Sequence, residues 1–288
     1  MKIVTRFAFA CAAVALAATP PASAEELNDL AGQTHYHGIA FARSGSAVLL
    51  LATHHGMFAV DKTGEATQVS PVQDFMGFSP GPADPLTYYA SGHPSGGGNQ
   101  GFLKSTDGGS SWTQISPGAN GPVDFHQMDV SAADAKTVYG VYGQVQVSRD
   151  GGETWLVTGK PPASLIAIAA SGSKAARIYA ATENGLHVSD NAGANWSSLA
   201  FPGEVVSMVE TAPDGSIYVF VLGRGLMKAS ETAAPEFTAL SNSFGQAIPL
   251  HLAVDHADGK HLALTTQAND VLESHDGGST WAPFGKGP

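Results

Sequence analysis

The sequence predicts an all-β fold, a six-bladed β-propeller of four-stranded antiparallel blades, on three observations. Four segments match Ser-x-Asp-x-Gly-x-x-Trp or nearly so, at 105–112, 148–155, 189–196 and 274–281. Short strand-like runs alternate with Gly-rich turns along the whole chain, which holds 34 glycines. No stretch beyond the first two dozen residues keeps a helical period.

The motif has a local physics. Its Asp accepts backbone N–H bonds within its own turn, its glycines take conformations other residues resist, and its Trp buries a large ring between neighbouring sheets. All four tryptophans are spent on these segments, and Asn191 replaces Asp in the third. The Asp residues therefore read as structural and not catalytic. The motifs start 43, 41 and 85 residues apart. The last gap is two repeats, and 225–232 followed by 236–238 fits it as an eroded copy. A second eroded copy at 56–64 completes six units.

Within each unit a first strand is expected at 37–42, 76–79, 126–130, 166–169, 206–210 and 250–254. A second is expected at 48–52, 87–90, 138–141, 178–181, 217–221 and 262–265. A third runs into each motif and a fourth begins near its Trp. Four strands in each of six units describe the propeller.

The N-terminus reads as a separate segment. Met1, Lys2 and Arg6 make a basic start, 7–18 is apolar, and Ala22-Ser23-Ala24 supplies small residues for cleavage. This is the layout of a secretory signal cut after Ala24, with 25–288 as one domain, and it places the mature chain in the periplasm or outside the cell. The apolar run is too short to span a bilayer, which takes roughly 20 residues, so no membrane anchor is expected after cleavage. The one cysteine, Cys11, would leave with the leader, which excludes disulfides and thiolate ligands from the mature domain. Lys and Arg number 14 against 25 Asp and Glu, a net charge of −11. Losing Lys2 and Arg6 makes the mature chain more acidic still, so nucleic acid and anionic membranes are not its partners. A monomer is expected.

The four motifs resemble the Asp boxes of the BNR-repeat propellers, a superfamily that includes sialidases, sortilin-type receptors and photosystem assembly factors. Shorter runs look like a bacterial exported group labelled glycosylhydrolase or sialidase-like: 37–40, 52–56, 74–78, 91–94 and 124–126. The resemblance implies the propeller fold and leaves the activity open. Sialidases of this fold hold a substrate carboxylate with three arginines, because guanidinium pairs a carboxylate at two points. The mature chain has only Arg43, Arg149, Arg177 and Arg224. Arg149 lies in an Asp box, Arg43 and Arg177 lie in or beside turns on one face, and only Arg224 belongs to the other. Sialidase activity is not expected.

The 11 histidines are unevenly placed. His37, Met76 and His126 hold the same register position at the start of the first strand in units one to three, where units four to six carry Ile166, Val206 and Leu250. His54, His55 and His93 fall in the turns after the second strand, and His35 precedes His37 by two. In a propeller these positions share one face around the central channel. The set His35, His37, His54, His55, Met76, His93 and His126 is thus a candidate metal site. Imidazole and thioether without thiolate point to copper, with zinc as the alternative and Asp74 or Asp124 as carboxylate ligand. His187, His256, His261 and His275 read as surface residues, and His251 as lying across the channel from the cluster.

Two other readings stay open. A glycoside hydrolase needs two carboxylates flanking the scissile bond of a glycan, and Asp74 and Asp124 precede first strands of adjacent blades. A docking or assembly factor for a protein partner needs no catalytic residue. The Gly96-Gly97-Gly98 turn is not followed by a helix and reads as a flexible turn, not a phosphate cradle.

Overall fold

Six antiparallel sheets follow one another along the chain in a computed structural model that describes residues 24–46 and 48–286. The proposed leader lies outside the described residues except for Ala24. In blades two to six the strands are hydrogen-bonded in sequence order, first to fourth. The first strands are Tyr36–Phe41, Asp74–Pro80, Gln127–Val130, Leu165–Ala170, Val206–Thr211 and Pro249–Val254. The second strands are Leu49–Thr53, Tyr88–His93, Val138–Tyr142, Ile178–Thr182, Ser216–Val221 and Leu262–Thr266. First strands pack on one another in ring order, with blade six against blade one.

Burial explains the composition of these strands. Second strands lie under a neighbouring sheet on each face, so Leu49–Thr53 and Ile178–Thr182 are buried at every position. Fourth strands form the outer edge and are polar, as in Thr113–Ser116 and Ser197–Ala200. Blade one departs from expectation. A fifth strand, Ala24–Glu26, pairs with the outer strand Glu65–Gln68, with Ala24 opposite Thr67. A five-residue helix, Leu27–Ala31, follows it.

The Asp boxes form a repeated hydrogen-bond circuit. In blade three Ser148 Oγ donates to Asp150 Oδ1 (2.7 Å) and accepts from Gly152 N (2.8 Å), while Asp150 accepts from Thr154 N (2.9 Å). The same bonds recur around Asp107 and Asp276. Each Trp lies half-buried against the preceding blade: Trp155 meets Phe102 at 5.1 Å between ring centroids, and Trp196 joins the cluster of Tyr139 and Val147.

Nearly every first strand opens with a β-bulge. The ladder skips one residue in five blades: His37, Met76, Ile166, Ser207 and Leu250. In blade three the ladder starts at Gln127, so His126 holds the equivalent place. The expected equivalence of His37, Met76 and His126 is therefore present. In blade five the equivalent residue is Ser207, not Val206, because the bulge adds a residue that alternation alone does not count.

Candidate metal centre at the channel mouth

A channel of about 1180 Å³, counting its solvent-open ends, runs between the first strands. His37, His126 and His251 line it, as do Asp129 and Glu210, with Arg43 and His256 at the opposite face. His251 belongs to blade six, which adjoins blade one. It therefore sits beside the histidine cluster and not across from it, because ring closure makes the last blade the neighbour of the first.

Two side-chain triads form across consecutive blade interfaces. In the first, His37 Nε2 is 3.0 Å from His54 Nε2, and His54 Nδ1 is 2.9 Å from Asp74 Oδ1. In the second, Asp124 Oδ2 is 3.0 Å from His93 Nε2 and 2.6 Å from His126 Nε2. His54 and His93 occupy matching turn positions, and Asp74 and Asp124 matching positions two residues before the bulge. The triads are thus one design on adjoining interfaces. They differ in that the bulge histidine comes from the preceding blade in one and from the following blade in the other. Within each triad one donor atom per residue lies within 4.8 Å of the others.

Local structure holds these groups in place. Thr53 Oγ1 donates to Gly56 O and accepts from His55 N, which shapes the turn carrying His54. Phe125 N donates to Ser91 Oγ (2.9 Å) and ties the segment bearing Asp124 and His126 to blade two. Gly92 has φ +152°, and a Cβ there would collide with the Asp74 carbonyl oxygen. Only glycine lets the chain pass this close.

The electrostatics favour neutral ligands at the channel. Burial pushes the His37 imidazole down to about 3, assisted by the neighbouring imidazoles of His54, His251, His126 and His35. Burial alone brings His251 to about 4. Both are neutral at pH 7, as metal ligation requires. His93 is raised, chiefly because Gly98 O accepts from its Nδ1 (2.8 Å), and Asp124 adds to this.

That bond to Gly98 fixes the chemistry of the second triad. A carbonyl cannot donate, so Nδ1 carries the proton, and in the neutral ring Nε2 presents a lone pair. This lone pair faces a carboxylate oxygen. Two acceptors 3.0 Å apart call for positive charge between them, a proton or a metal ion. Asp124 is 5% exposed, and its Oδ1 is buried without a hydrogen-bond partner. The His54–Asp74 pair likewise has the carboxylate–histidine form that orients metal-bound imidazoles.

The structure thus brings together His37, His54, His93 and His126 with Asp74 and Asp124. His35 sits at the margin, its ring 5.8 Å from that of His54 and its Nδ1 3.4 Å from Asn269 Nδ2. His55 is exposed and enters neither triad. Met76 is half-buried at its bulge between the two. Three arginines have internal partners. Arg43 bonds the carbonyls of Gly81 and Asp84, Arg177 pairs with Asp190, and Arg224 with Glu204.

Sequence reasoning missed the channel carboxyls Asp129 and Glu210. They occupy the same register position, where the other blades carry Ala40, Ser79, Ala169 and Ala253. Asp129 accepts from Ser79 Oγ, Val130 N and Ala170 N, joining blades two, three and four. Burial raises both carboxyls, and Asp129 adds to the rise at Glu210. An acidic residue directly after apolar ones in a first strand, Met128-Asp129 and Met208-Val209-Glu210, was the available signal.

No family model matches the chain, and no curated protein matches it. Among solved structures it is similar to a GH74 enzyme of Niastella koreensis (16% identity, TM-score 0.61, covering 87% of this chain and 45% of that one). It is also similar to the GH74 xyloglucanase of Xanthomonas campestris (18% identity, TM-score 0.59, 88% and 45%). A third is YCF48 bound to D1 peptide (17% identity, TM-score 0.52, 94% and 88%). The chain spans less than half the length of the two GH74 enzymes. At these identities the likeness is one of fold.

Proposed function

We propose that this propeller binds a divalent transition-metal ion at the channel mouth of blades one to three, through His37 and His54 with Asp74 and through His93 and His126 with Asp124. The observation that carries the reading is the second triad. There Asp124 Oδ2 meets both His93 Nε2 (3.0 Å) and His126 Nε2 (2.6 Å), and Asp124 Oδ1 is buried with no partner. A cation beside Asp124 offsets its buried charge, and one held by both carboxylate oxygens would also take up the unpartnered Oδ1.

Four imidazoles and two carboxylates, without sulfur, suit Cu²⁺ and Zn²⁺. A Met76 thioether among the ligands would favour copper(I). On the reading of 1–24 as a leader, the site would meet metal in the periplasm or outside the cell. Metal analysis after equilibration with Cu²⁺ or Zn²⁺ and gel filtration tests the reading. At least one ion per chain is expected, falling by one or more in the His37→Ala/His126→Ala double variant. Metal content that the double variant leaves unchanged overturns it.

A second reading, hydrolysis of a glycan, is supported by the likeness to GH74 folds and by two carboxylates in equivalent places on adjacent blades. It requires one of them to act as proton donor. Both lie against imidazole nitrogens, so neither is free to act as the proton donor. Glycan turnover abolished by Asp74→Asn or Asp124→Asn, with metal content unchanged, would put this reading ahead of metal binding. Co-purification of a protein partner with neither metal nor turnover would instead identify a docking factor.

A further inference from the structure

The opposite face of blade six carries a third cluster, formed by residues the sequence placed on the surface. His261 precedes the second strand, Glu273 lies in the third strand Val271–Ser274, and His275 is the second residue of the Asp box 274–281. The two imidazole rings stack, with centroids 4.2 Å apart and planes 19° apart. Both turn Nε2 toward one atom, Glu273 Oε2, at 3.5 Å from His261 and 3.3 Å from His275.

These distances are too long for well-made N–H···O bonds, whose usual range ends near 3.2 Å. They match the ligand-to-ligand edge of a tetrahedral zinc site. Bonds of about 2.05 Å give an edge of about 3.3 Å. Three donor atoms, one from each residue, lie within 4.8 Å of one another. His261 Nε2 is buried and has no hydrogen-bond partner. Glu273 is 9% exposed, and Gly285 N occupies its Oε1 (3.0 Å), leaving Oε2 as the free donor.

The surroundings hold the His261 ring in place. Asp255 Oδ2 lies 3.5 Å from His261 Nδ1, on the side of the ring away from Glu273. Phe41 of blade one packs on the His261 ring at 4.6 Å between centroids and fixes its plane. His275 is 56% exposed and leaves an approach from solvent.

We infer that His261, Glu273 and His275 form a second, structural metal site of zinc type, independent of the channel mouth. It joins the turn before the second strand, the third strand and the Asp box of blade six. Through Glu273 and Gly285 it also reaches the C-terminal segment.

The test uses the full chain, stripped with chelator and titrated with Zn²⁺ alone. The background is the His37→Ala/His126→Ala variant, so that the mouth contributes little. One zinc per chain is expected to remain there and to be lost when His275→Ala is added. His275 is exposed, so this change leaves folding intact. Zinc at a hundredfold excess over Kd should raise Tm by roughly 5 °C in the background and not in the His275→Ala form. Zinc content and Tm response that His275→Ala does not change overturn the inference. If the background binds as much zinc as the unmodified chain and His275→Ala removes it, this site stands and the mouth reading falls.

Discussion

At the scale of single residues, blade four contains its own control for the Asp box. Asn191 takes the Asp place, and its Oδ1 accepts from Ser189 Oγ and Asn195 N, both at 2.9 Å. The circuit therefore needs an acceptor oxygen and not a charge. Charge adds pH dependence. Hydrogen bonds, led by the Thr154 hydroxyl, hold Asp150 at about 2 against an ordinary 3.8, and bonds led by Thr280 N hold Asp276 at about 2. A depressed carboxylate contributes stability that is complete above its unfolded value and is lost as pH falls through its folded value. Stability should thus decline between about pH 4 and pH 2. Asp150→Asn should be close to neutral at pH 7 and should flatten that decline, while Asp150→Ala should cost about 1 kcal/mol at pH 7. Urea midpoints at pH 7 and across the acid range check this. Equal losses in Asn and Ala variants at pH 7 would refute the account.

At the scale of the element, the boxes separate two glycines with different duties. Gly151 and Gly152 have φ +80° and +94°, but only Gly152 is crowded. A Cβ at Gly152 would overlap the Phe102 ring, and at Gly151 it would meet nothing within 4 Å. Blade four bears this out, with Ala192 at φ +58° in the first place and Gly193 kept in the second, against Val145. Gly151→Ala is expected to cost about 1 kcal/mol through its backbone alone. Gly152→Ala should cost about 3 kcal/mol, because the ring must shift as well. Thermal unfolding of the two variants separates these terms, and similar losses would place the strain in the backbone and not at Phe102.

The same scale shows what periodicity makes legible. Strand bounds fall within a few residues of expectation because second strands are buried on both faces and boxes recur at fixed spacing. The match of His37, Met76 and His126 followed from that register. The bulge did not, so Ser207 was displaced by one. His261 and His275 went unrecognised because they converge from a turn and a box through Glu273, with no motif spacing to join them. The His93 bond to Gly98 O was equally hidden, since it depends on the path of a glycine-rich turn.

At the scale of the whole molecule, the ring is closed without a shared sheet among the described residues. The C-terminal strand Ala282–Pro283 stays in blade six, and the N-terminal strand Ala24–Glu26 stays in blade one. Closure therefore falls to packing between them. Leu27 and Leu30 of the short helix join Tyr36, Ile39 and Phe41 of blade one with Ala253, Ala263, Val271 and Phe284 of blade six in one buried cluster. Asn269 Nδ2 adds bonds to Ala31 O and Thr34 O, each 3.1 Å. Leu30 is 1% exposed, so Leu30→Ala should cost about 3 kcal/mol and lower Tm by roughly 10 °C. A seam opens locally before the molecule unfolds, so the loss should not be shared evenly. Hydrogen exchange in the variant should quicken in Tyr36–Phe41, Pro249–Val254 and Leu262–Thr266, while Ile178–Thr182 on the far side keeps its protection. Even quickening around the ring would mean that closure is carried by all blades together and that the N-terminal helix is only a covering. Because His261 rests on Phe41 at this seam, zinc in the blade-six site should slow exchange in the same segments.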